Sequence, residues 1–210
     1  ELWFKTTSTT GGKLIGFSSS RTGGSSSYDR HVYMLNSGQL RFGAYTGSQI
    51  YFDSAASYND GTWHHLVAQQ DTSGMKMYVD GQLVGSNPNR TNQSFTGYWR
   101  IGGDTTWGGN STNYFNGSLD EVAVYSRTLS AAEVLDHFIK GGGTPANLSP
   151  TADFNYQVNK LAVSFSGTAS TDPDGTIASY LWDFGDGSTS TAAEPTHIFA
   201  TAGLQSVTLT

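Results

Sequence analysis

The most constraining feature of the sequence is a short strand enclosed by two turn motifs, within residues 170–187. The first motif, Asp-Pro-Asp-Gly at 172–175, favours a turn because proline presets φ, aspartate bonds its own backbone and glycine accepts a positive φ. The second motif is Gly-Asp-Gly at 185–187. Aromatic side chains occupy alternate positions between them: Tyr180, Trp182 and Phe184. Since alternate side chains of a strand share a face, the pattern predicts a strand whose aromatic face enters a core.

Turn signals also divide the first two thirds of the chain. Asp80-Gly81 separates two strand-like segments and predicts a two-residue hairpin. Asn36-Ser37-Gly38 and Asp60-Gly61 mark further strand boundaries. With 26 glycines and 13% aromatic residues in 210, this spacing predicts an all-β protein, a sandwich or jelly roll. The sequence has no cysteine, which excludes disulfides and thiolate metal sites.

One segment predicts a short helix. Ser130 and Glu133 have the spacing of a capping box. Apolar residues that follow share one helical face: Val134, Leu135, Phe138 and Ile139. We expect this helix to lie across one end of the first module and close it.

The glycine- and proline-rich segment 141–150 has the composition of a linker. Residues 144–210 carry six acidic side chains and one basic one, whereas residues 1–143 are nearly balanced. Because nucleic-acid binding depends on neutralising phosphates, this acidic balance argues against a nucleic-acid partner. No apolar run is long enough to predict a membrane span.

The turn–strand–turn run at 170–187 resembles the signature of the polycystic-kidney-disease (PKD) repeat. The resemblance implies an immunoglobulin-like β-sandwich with a buried tryptophan. It also implies a spacer or binding module of an extracellular or cell-surface protein of bacteria.

Five blocks in the first part of the chain are similar to the laminin-G-like, concanavalin A-like jelly roll: residues 60–68, 77–84, 101–104, 115–125 and 129–134. We therefore expect a jelly-roll sandwich at 1–140, a linker at 141–150 and a PKD-like sandwich at 151–210. The resemblances imply further strands before Glu1 and after Thr210. They specify fold and not ligand, because this fold hosts many functions.

Surface aromatic residues are the candidate ligand contacts, since sugar rings stack on exposed tryptophan and tyrosine. The loop at 103–114 combines Trp107 with glycine and polar residues, and a second candidate segment is Tyr28-Asp29-Arg30. The predicted ligand-binding residues are Trp107, Asp104, Asn110, Tyr114, Tyr28 and Arg30. The alternative for Trp107 is that it folds over the edge of the jelly roll.

Calcium is the candidate cofactor. Asp120 resembles an aspartate that contributes to a structural calcium site in some members of the jelly-roll family. Carbonyl groups of Gly102 and Gly103 and the side chain of Asp104 could add the oxygens that a hard cation needs. The alternative is that Asp120 accepts backbone hydrogen bonds at a turn. For Asp172 and Asp174 the same two interpretations apply, and turn formation is favoured.

Catalysis is not predicted. The glutamates are scattered along the chain, whereas glycosidases need two carboxylates facing each other across a cleft. His64 and His65 are adjacent on a strand, so they point to opposite faces and cannot chelate one ion. The carboxylates considered for a glycosidase pair are Glu1, Glu121, Glu133, Glu194 and Asp120.

The sequence therefore predicts a non-catalytic extracellular or cell-surface module that binds a glycan or a matrix or surface protein. The PKD-like repeat would act as spacer. Two alternatives remain: an accessory region of a secreted polysaccharide-degrading hydrolase, or a purely structural spacer.

Overall fold

A computed structural model describes residues 1–145, 147, 149–172 and 175–210. The chain divides into two compact units, Glu1–Pro145 and Ala146–Thr210. Part of the turn predicted at 172–175, Pro173-Asp174, lies outside the described residues. In the part of the chain that is described, no helix has the length and apolar character needed to cross a bilayer.

The first unit is a sandwich of two antiparallel five-stranded sheets. Its strands in chain order are β1 (Leu2–Lys5), β2 (Gly12–Ser18), β3 (Tyr28–Met34), β4 (Gln39–Tyr45), β5 (Gln49–Ser57), β6 (His64–Asp71), β7 (Gly74–Val79), β8 (Gln82–Asn87), β9 (Tyr98–Ile101) and β10 (Ser118–Asp120). Sheet A has the order β10-β1-β6-β7-β8, and sheet B has the order β5-β4-β3-β2-β9. The predicted jelly-roll-like, all-β architecture is confirmed.

The core of this unit lies between the two sheets, where alternate residues of each strand face inward. On β4, for example, Leu40, Phe42 and Ala44 are buried in the core while Arg41 and Gly43 face the other way. The buried apolar residues are Leu2, Phe4, Leu14, Ile15, Val32, Met34, Leu40, Phe42, Ala44, Leu66, Met75, Met77 and Val79. Period-two alternation thus assigns every strand an inner and an outer face.

The predicted turns lie where the sequence signals place them. Asp80 and Gly81 have φ values of 53° and 79°, the left-handed pair that a two-residue hairpin between β7 and β8 requires. Residues 36–38 connect β3 to β4, and Asp60-Gly61 precedes β6. Local turn chemistry therefore determines the chain reversals of this unit.

The predicted helix, α1 (Ala131–Lys140), is also present. Ser130 Oγ accepts a hydrogen bond from the Glu133 backbone N–H at 3.2 Å, and the Glu133 carboxylate accepts one from the Ser130 N–H at 2.7 Å. Its position differs from the expectation. Phe138 stacks on Trp3, at 5.7 Å between ring centroids, and Trp3 is on the outer face of β1. The helix therefore covers the outer face of sheet A instead of one end of the sandwich, because that face carries aromatic side chains that burial stabilises.

The second unit packs two antiparallel three-stranded sheets, as an immunoglobulin-like sandwich would. Its strands are β11 (Asn155–Asn159), β12 (Ala162–Ser166), β13 (Trp182–Asp183), β14 (Thr189–Ser190), β15 (Thr196–Ile198) and β16 (Thr208–Leu209). The sheet orders are β11-β12-β15 and β14-β13-β16. Trp182 is completely buried and donates its indole N–H to the carbonyl of Ala192 at 2.8 Å. Phe184 is buried as well, while Leu181 and Asp183 are exposed, so the predicted alternation is confirmed.

Candidate functional site

The outer face of sheet B carries two rows of aligned residues. In the first row, Lys13 pairs with Tyr33, Tyr33 with Arg41, and Arg41 with Asp53. In the second row, His31 pairs with Gly43, and Gly43 pairs with Tyr51. Directly opposed side chains on one face of a sheet lie within contact distance. The fold therefore collects charged, aromatic and histidine side chains from four strands on one surface: Lys13, His31, Tyr33, Arg41, Tyr51 and Asp53.

The inner layer of this surface is polar yet buried. Lys13, His31 and Tyr33 have no exposed area, and Asp104 is 2% exposed. Lys13 Nζ lies 3.5 Å from Asp104 Oδ2, and the Ser25 backbone N–H donates to Asp104 Oδ1 at 2.9 Å. A buried charge needs a partner, and this ion pair provides one for both residues.

Burial and pairing shift the protonation equilibria of this layer. Burial lowers the pKa of Lys13 to about 8, although the Asp104 carboxylate opposes the shift. Burial alone would raise the pKa of Asp104, but hydrogen bonds and the Lys13 charge outweigh it and hold that pKa at about 2. Burial also lowers the pKa of His31 well below its ordinary value, with the nearby Lys13 charge adding to the effect. At neutral pH the layer therefore contains an ion pair and an uncharged imidazole.

Trp107 covers the second row. Its ring lies 4.3 Å from the ring of His31, in an edge-on arrangement. It also occupies the space above Gly43, where a Cβ atom would clash with the indole. Glycine at this position therefore allows the close approach of Trp107 to the sheet. The Trp107 ring is partly buried against His31, and its role as a ligand contact stays a prediction.

The outer layer presents three aromatic rings and one ion pair. Tyr28 and Tyr51 lie 6.2 and 6.5 Å from Trp107 between ring centroids. Tyr51 is 42% exposed. Arg41 stacks its guanidinium over the Tyr51 ring at 3.9 Å and donates two hydrogen bonds to the Asp53 carboxylate, at 2.6 and 2.7 Å. We refer to Tyr28, Tyr51 and Trp107 together as the aromatic platform; the Arg41–Asp53 pair forms its polar border.

The other predicted ligand residues have different positions. Asn110 accepts a hydrogen bond from Thr106 and donates to the Thr112 carbonyl, so it holds the 103–114 loop together. Tyr114 is 61% exposed and forms isolated bridges with Lys13 and Gly103, without a ring contact to the platform.

Arg30 does not belong to the platform, which corrects the prediction for the Tyr28–Arg30 segment. Its guanidinium stacks on Phe17 at 4.5 Å and lines a cavity of about 410 Å³ whose walls come from both sheets. The backbone of Arg30 has a φ of 46°, and the register between β2 and β3 shifts nearby. This irregularity turns Arg30 away from Tyr28, which a regular alternation would have placed on the same face.

The two predicted calcium ligands have different hydrogen-bond and ion-pair partners. Asp104 is buried beside Lys13, whereas Asp120 lies on β10 of sheet A and accepts a hydrogen bond from the Glu121 N–H at 2.9 Å. Among the described residues, no three acidic or histidine side chains are grouped so as to hold a metal ion. Calcium binding at Asp120 and Asp104 therefore stays a prediction. Since Asp174 lies outside the described residues, calcium binding near Asp172 also stays a prediction.

His64 and His65 point to opposite faces, as predicted. His64 Nδ1 lies 2.7 Å from Asp80 Oδ2, and the His64 ring contacts Phe4 in the core. His65 points outward but is only 1% exposed, because Phe138 of α1 stacks over it at 6.3 Å. Both histidines therefore serve the packing of sheet A.

The comparisons with known proteins agree with this architecture. Residues 1–135 match the model of the concanavalin A-like lectin/glucanases superfamily. The chain belongs to this superfamily. Residues 147–210 match the PKD domain. Among solved structures, the leech intramolecular trans-sialidase has a similar fold, with a TM-score of 0.52 and 17% identity, over 78% of this chain and 28% of that one.

Curated relatives match a shorter stretch. The pre-pro-metalloprotease PrtV of Vibrio cholerae is 52% identical over 67 residues, which are 32% of this chain and 7% of that protein. Collagenase ColQ1 of Bacillus cereus is 44% identical over 66 residues, again 7% of its length. The chain thus spans less than a tenth of these relatives, and the matched stretch is about as long as the PKD module.

The superfamily member described here is a non-catalytic module. The first match is to a superfamily named for lectins as well as glucanases, the second is to the PKD domain, and the match to PrtV covers only 7% of that protease. Three of the four glutamates have structural partners: Glu133 caps α1 and pairs with Arg127, Glu1 contacts His137 and Tyr125, and Glu194 accepts from Ser166. These glutamates, which are scattered along the sequence, therefore have separate structural roles.

Sequence reasoning found Tyr28 and Trp107 of the platform but missed Tyr51 and most of the surrounding surface of sheet B. The missed residues are Lys13, His31, Tyr33, Arg41, Tyr51 and Asp53. A signal was present, because polar or aromatic residues alternate with apolar ones on β3 to β5, for example Arg41 and Gly43 between Leu40, Phe42 and Ala44. Alternation alone, however, indicates an outer face and does not show which strands are neighbours.

Proposed function

We propose that the jelly-roll module binds glycans through the aromatic platform and the Arg41–Asp53 pair. The observation that supports this most is the position of Tyr28 and Tyr51 within 6.5 Å of Trp107, next to an ion pair that offers both donors and acceptors. The expectation of Trp107 as a ligand contact is kept, with Tyr51 as a new partner.

The chemistry of the surface suits a sugar ring. A pyranose has an apolar face of C–H groups that can stack on tryptophan or tyrosine, and a rim of hydroxyl groups that needs hydrogen-bond partners. Tyr51 and Trp107 provide the stacking surface. Arg41 donates and Asp53 accepts, and both keep exposed side-chain area, 16% and 31%.

The names of the relatives support an extracellular setting. Several matched proteins are called collagenases, and collagen is a matrix protein outside cells. We propose that the chain is an accessory part of an exported degradative protein, in which the jelly roll contacts a surface and the PKD module acts as a spacer. Because these relatives are named as proteases, the expected link to a polysaccharide-degrading hydrolase has no support among them.

The same names favour a second candidate ligand, a matrix protein such as collagen. A protein ligand would also use exposed aromatic and arginine side chains. The two candidates differ in what competes for binding: a free oligosaccharide displaces a glycan and leaves a collagen contact unaffected.

A glycan array with the whole chain tests the first proposal. The variant Tyr51→Ala removes an exposed platform ring, and we expect at least about a tenfold loss of affinity, a typical value for a central aromatic contact. Trp63→Ala is the matched control, because Trp63 is also 42% exposed but lies on the side of the helix, near His65 and Phe138. Running the array with and without calcium tests the remaining metal expectation.

The outcomes separate the candidates. Binding that Tyr51→Ala weakens and Trp63→Ala does not would support the platform. An array without signal, together with binding to immobilised collagen, would favour the matrix protein instead. No binding to either would leave the module as a structural spacer and contradict the proposal.

A further inference from the structure

The charges around the platform decide which class of glycan it suits, an inference that rests on the proposed function. Arg41, the cation that stacks on the exposed Tyr51 ring, is already held by two hydrogen bonds to Asp53. An incoming carboxylate or sulfate would meet the Asp53 charge beside it and would have to compete for the same guanidinium. Breaking such a two-point pair costs more than a single hydrogen bond.

The cations beneath the platform are engaged as well. Lys13 is buried beside Asp104 and does not reach the surface. Arg100 donates to the carbonyls of Ser20 and Gly23, at 3.0 and 3.1 Å, and lies 3.9 Å from Asp104. Each of these positive charges therefore faces Asp104 and not the solvent above Trp107.

His31 adds no charge. It is fully buried under Trp107, and burial together with the nearby Lys13 charge lowers its pKa and keeps its ring neutral at physiological pH. Among the described residues at the platform, the cations are Lys13, Arg41 and Arg100, and the carboxylates are Asp53 and Asp104. Each of the three cations lies within 4 Å of one of these carboxylates.

We infer that the platform selects neutral sugars over acidic ones. A neutral pyranose can place neighbouring hydroxyl groups on Arg41 and Asp53 at once, using the donor and the acceptor of the existing pair. A uronic acid, sialic acid or sulfated sugar would bring a second anion to Asp53 without a free cation, and like charges held close together are unfavourable.

The test compares ligands that differ in charge. The probes are neutral hexose oligosaccharides, each paired on one array with its sialylated, sulfated or uronic-acid derivative, and the whole chain is used. We expect the neutral member of each bound pair to bind at least tenfold more tightly. Asp53→Asn removes the competing anion and leaves Arg41 available, so this variant is expected to gain at least tenfold in affinity for acidic derivatives relative to the wild-type chain.

A matched control separates the local effect from net charge. Asp136→Asn removes one negative charge from an exposed position on α1, where Asp136 pairs with Lys140 at 2.7 Å, and it should not change the selectivity. Equal or tighter binding of acidic glycans by the wild-type chain would overturn this inference while glycan binding itself stands. An array without any signal would overturn both, and melting temperatures of the variants show whether each one is folded.

Discussion

The two outer faces of the jelly roll differ in how they are covered. The outer face of sheet A carries Trp3, His65, Val67 and Tyr78, and α1 with its neighbour Leu129 packs onto it. The outer face of sheet B carries a polar inner layer, and Trp107 and its loop lie over it. One face is therefore closed by a helix, while the other keeps aromatic and charged side chains in contact with solvent.

This difference indicates that the outer face of sheet A contributes stability, whereas the outer face of sheet B is available for ligand binding. Burial of aromatic and aliphatic surface under α1 stabilises the fold directly. A buried ion pair such as Lys13–Asp104 contributes little net stability, because desolvation offsets the attraction. Removing one of its members is nevertheless costly, so the pair fixes the arrangement beneath the platform.

The largest expected effect comes from breaking the buried ion pair. Asp104→Asn leaves the Lys13 charge buried without a counterion, and we expect the free energy of unfolding of the jelly roll to fall by about 4 kcal/mol. Urea denaturation followed by tryptophan fluorescence measures it. The double variant Lys13→Met/Asp104→Leu should recover most of the loss. A single variant as stable as the wild type would show that the pair does not anchor this face.

Removing the main contact of the helix should have a slightly smaller effect. Phe138→Ala deletes the ring that stacks on Trp3 and His65, and we expect a loss of about 3 kcal/mol in the free energy of unfolding. Glycan binding should not change, because sheet B is untouched. A loss of binding in a folded Phe138→Ala protein would contradict the separation of the two faces.

Acid should lower the free energy of unfolding of the jelly roll by protonating Asp104. Its pKa is about 2 in the folded chain, below the ordinary value of 3.8, so its stabilising effect is present above pH 4 and is lost as the pH falls through 2. The shift corresponds to about 2 kcal/mol. The stability difference between the wild type and Asp104→Asn should therefore narrow between pH 4 and 2 in denaturation curves. A constant difference over this range would mean that Asp104 is not held ionised as described.

Much of the fold could be predicted from local sequence. The Asp80-Gly81 hairpin, the Ser130–Glu133 capping box and the alternation around Trp182 each depend on residues close together in the chain, and the structure contains all three. Such features follow from backbone preferences that act within a few residues. The position of α1 could not be predicted in this way, because it depends on the outer face of a strand more than 120 residues away.

The candidate site shows the same division. Trp107 could be selected from its loop, but its partners His31 and Gly43 come from strands that only the sheet brings together. Arg30 was misplaced because a local shift in register reverses the face on which a side chain lies. Asp104 was selected from the sequence as an oxygen ligand, whereas its pairing with the buried Lys13 of β2 is visible only in the fold.

The sequence by itself determined the strands, turns, helix cap and the two kinds of module, since these depend on short-range backbone and side-chain preferences. The tertiary structure alone decided that Lys13, His31, Arg41, Tyr51 and Trp107 share one surface. Pairing between strands sets that arrangement, and the pairing is determined by how the whole core packs.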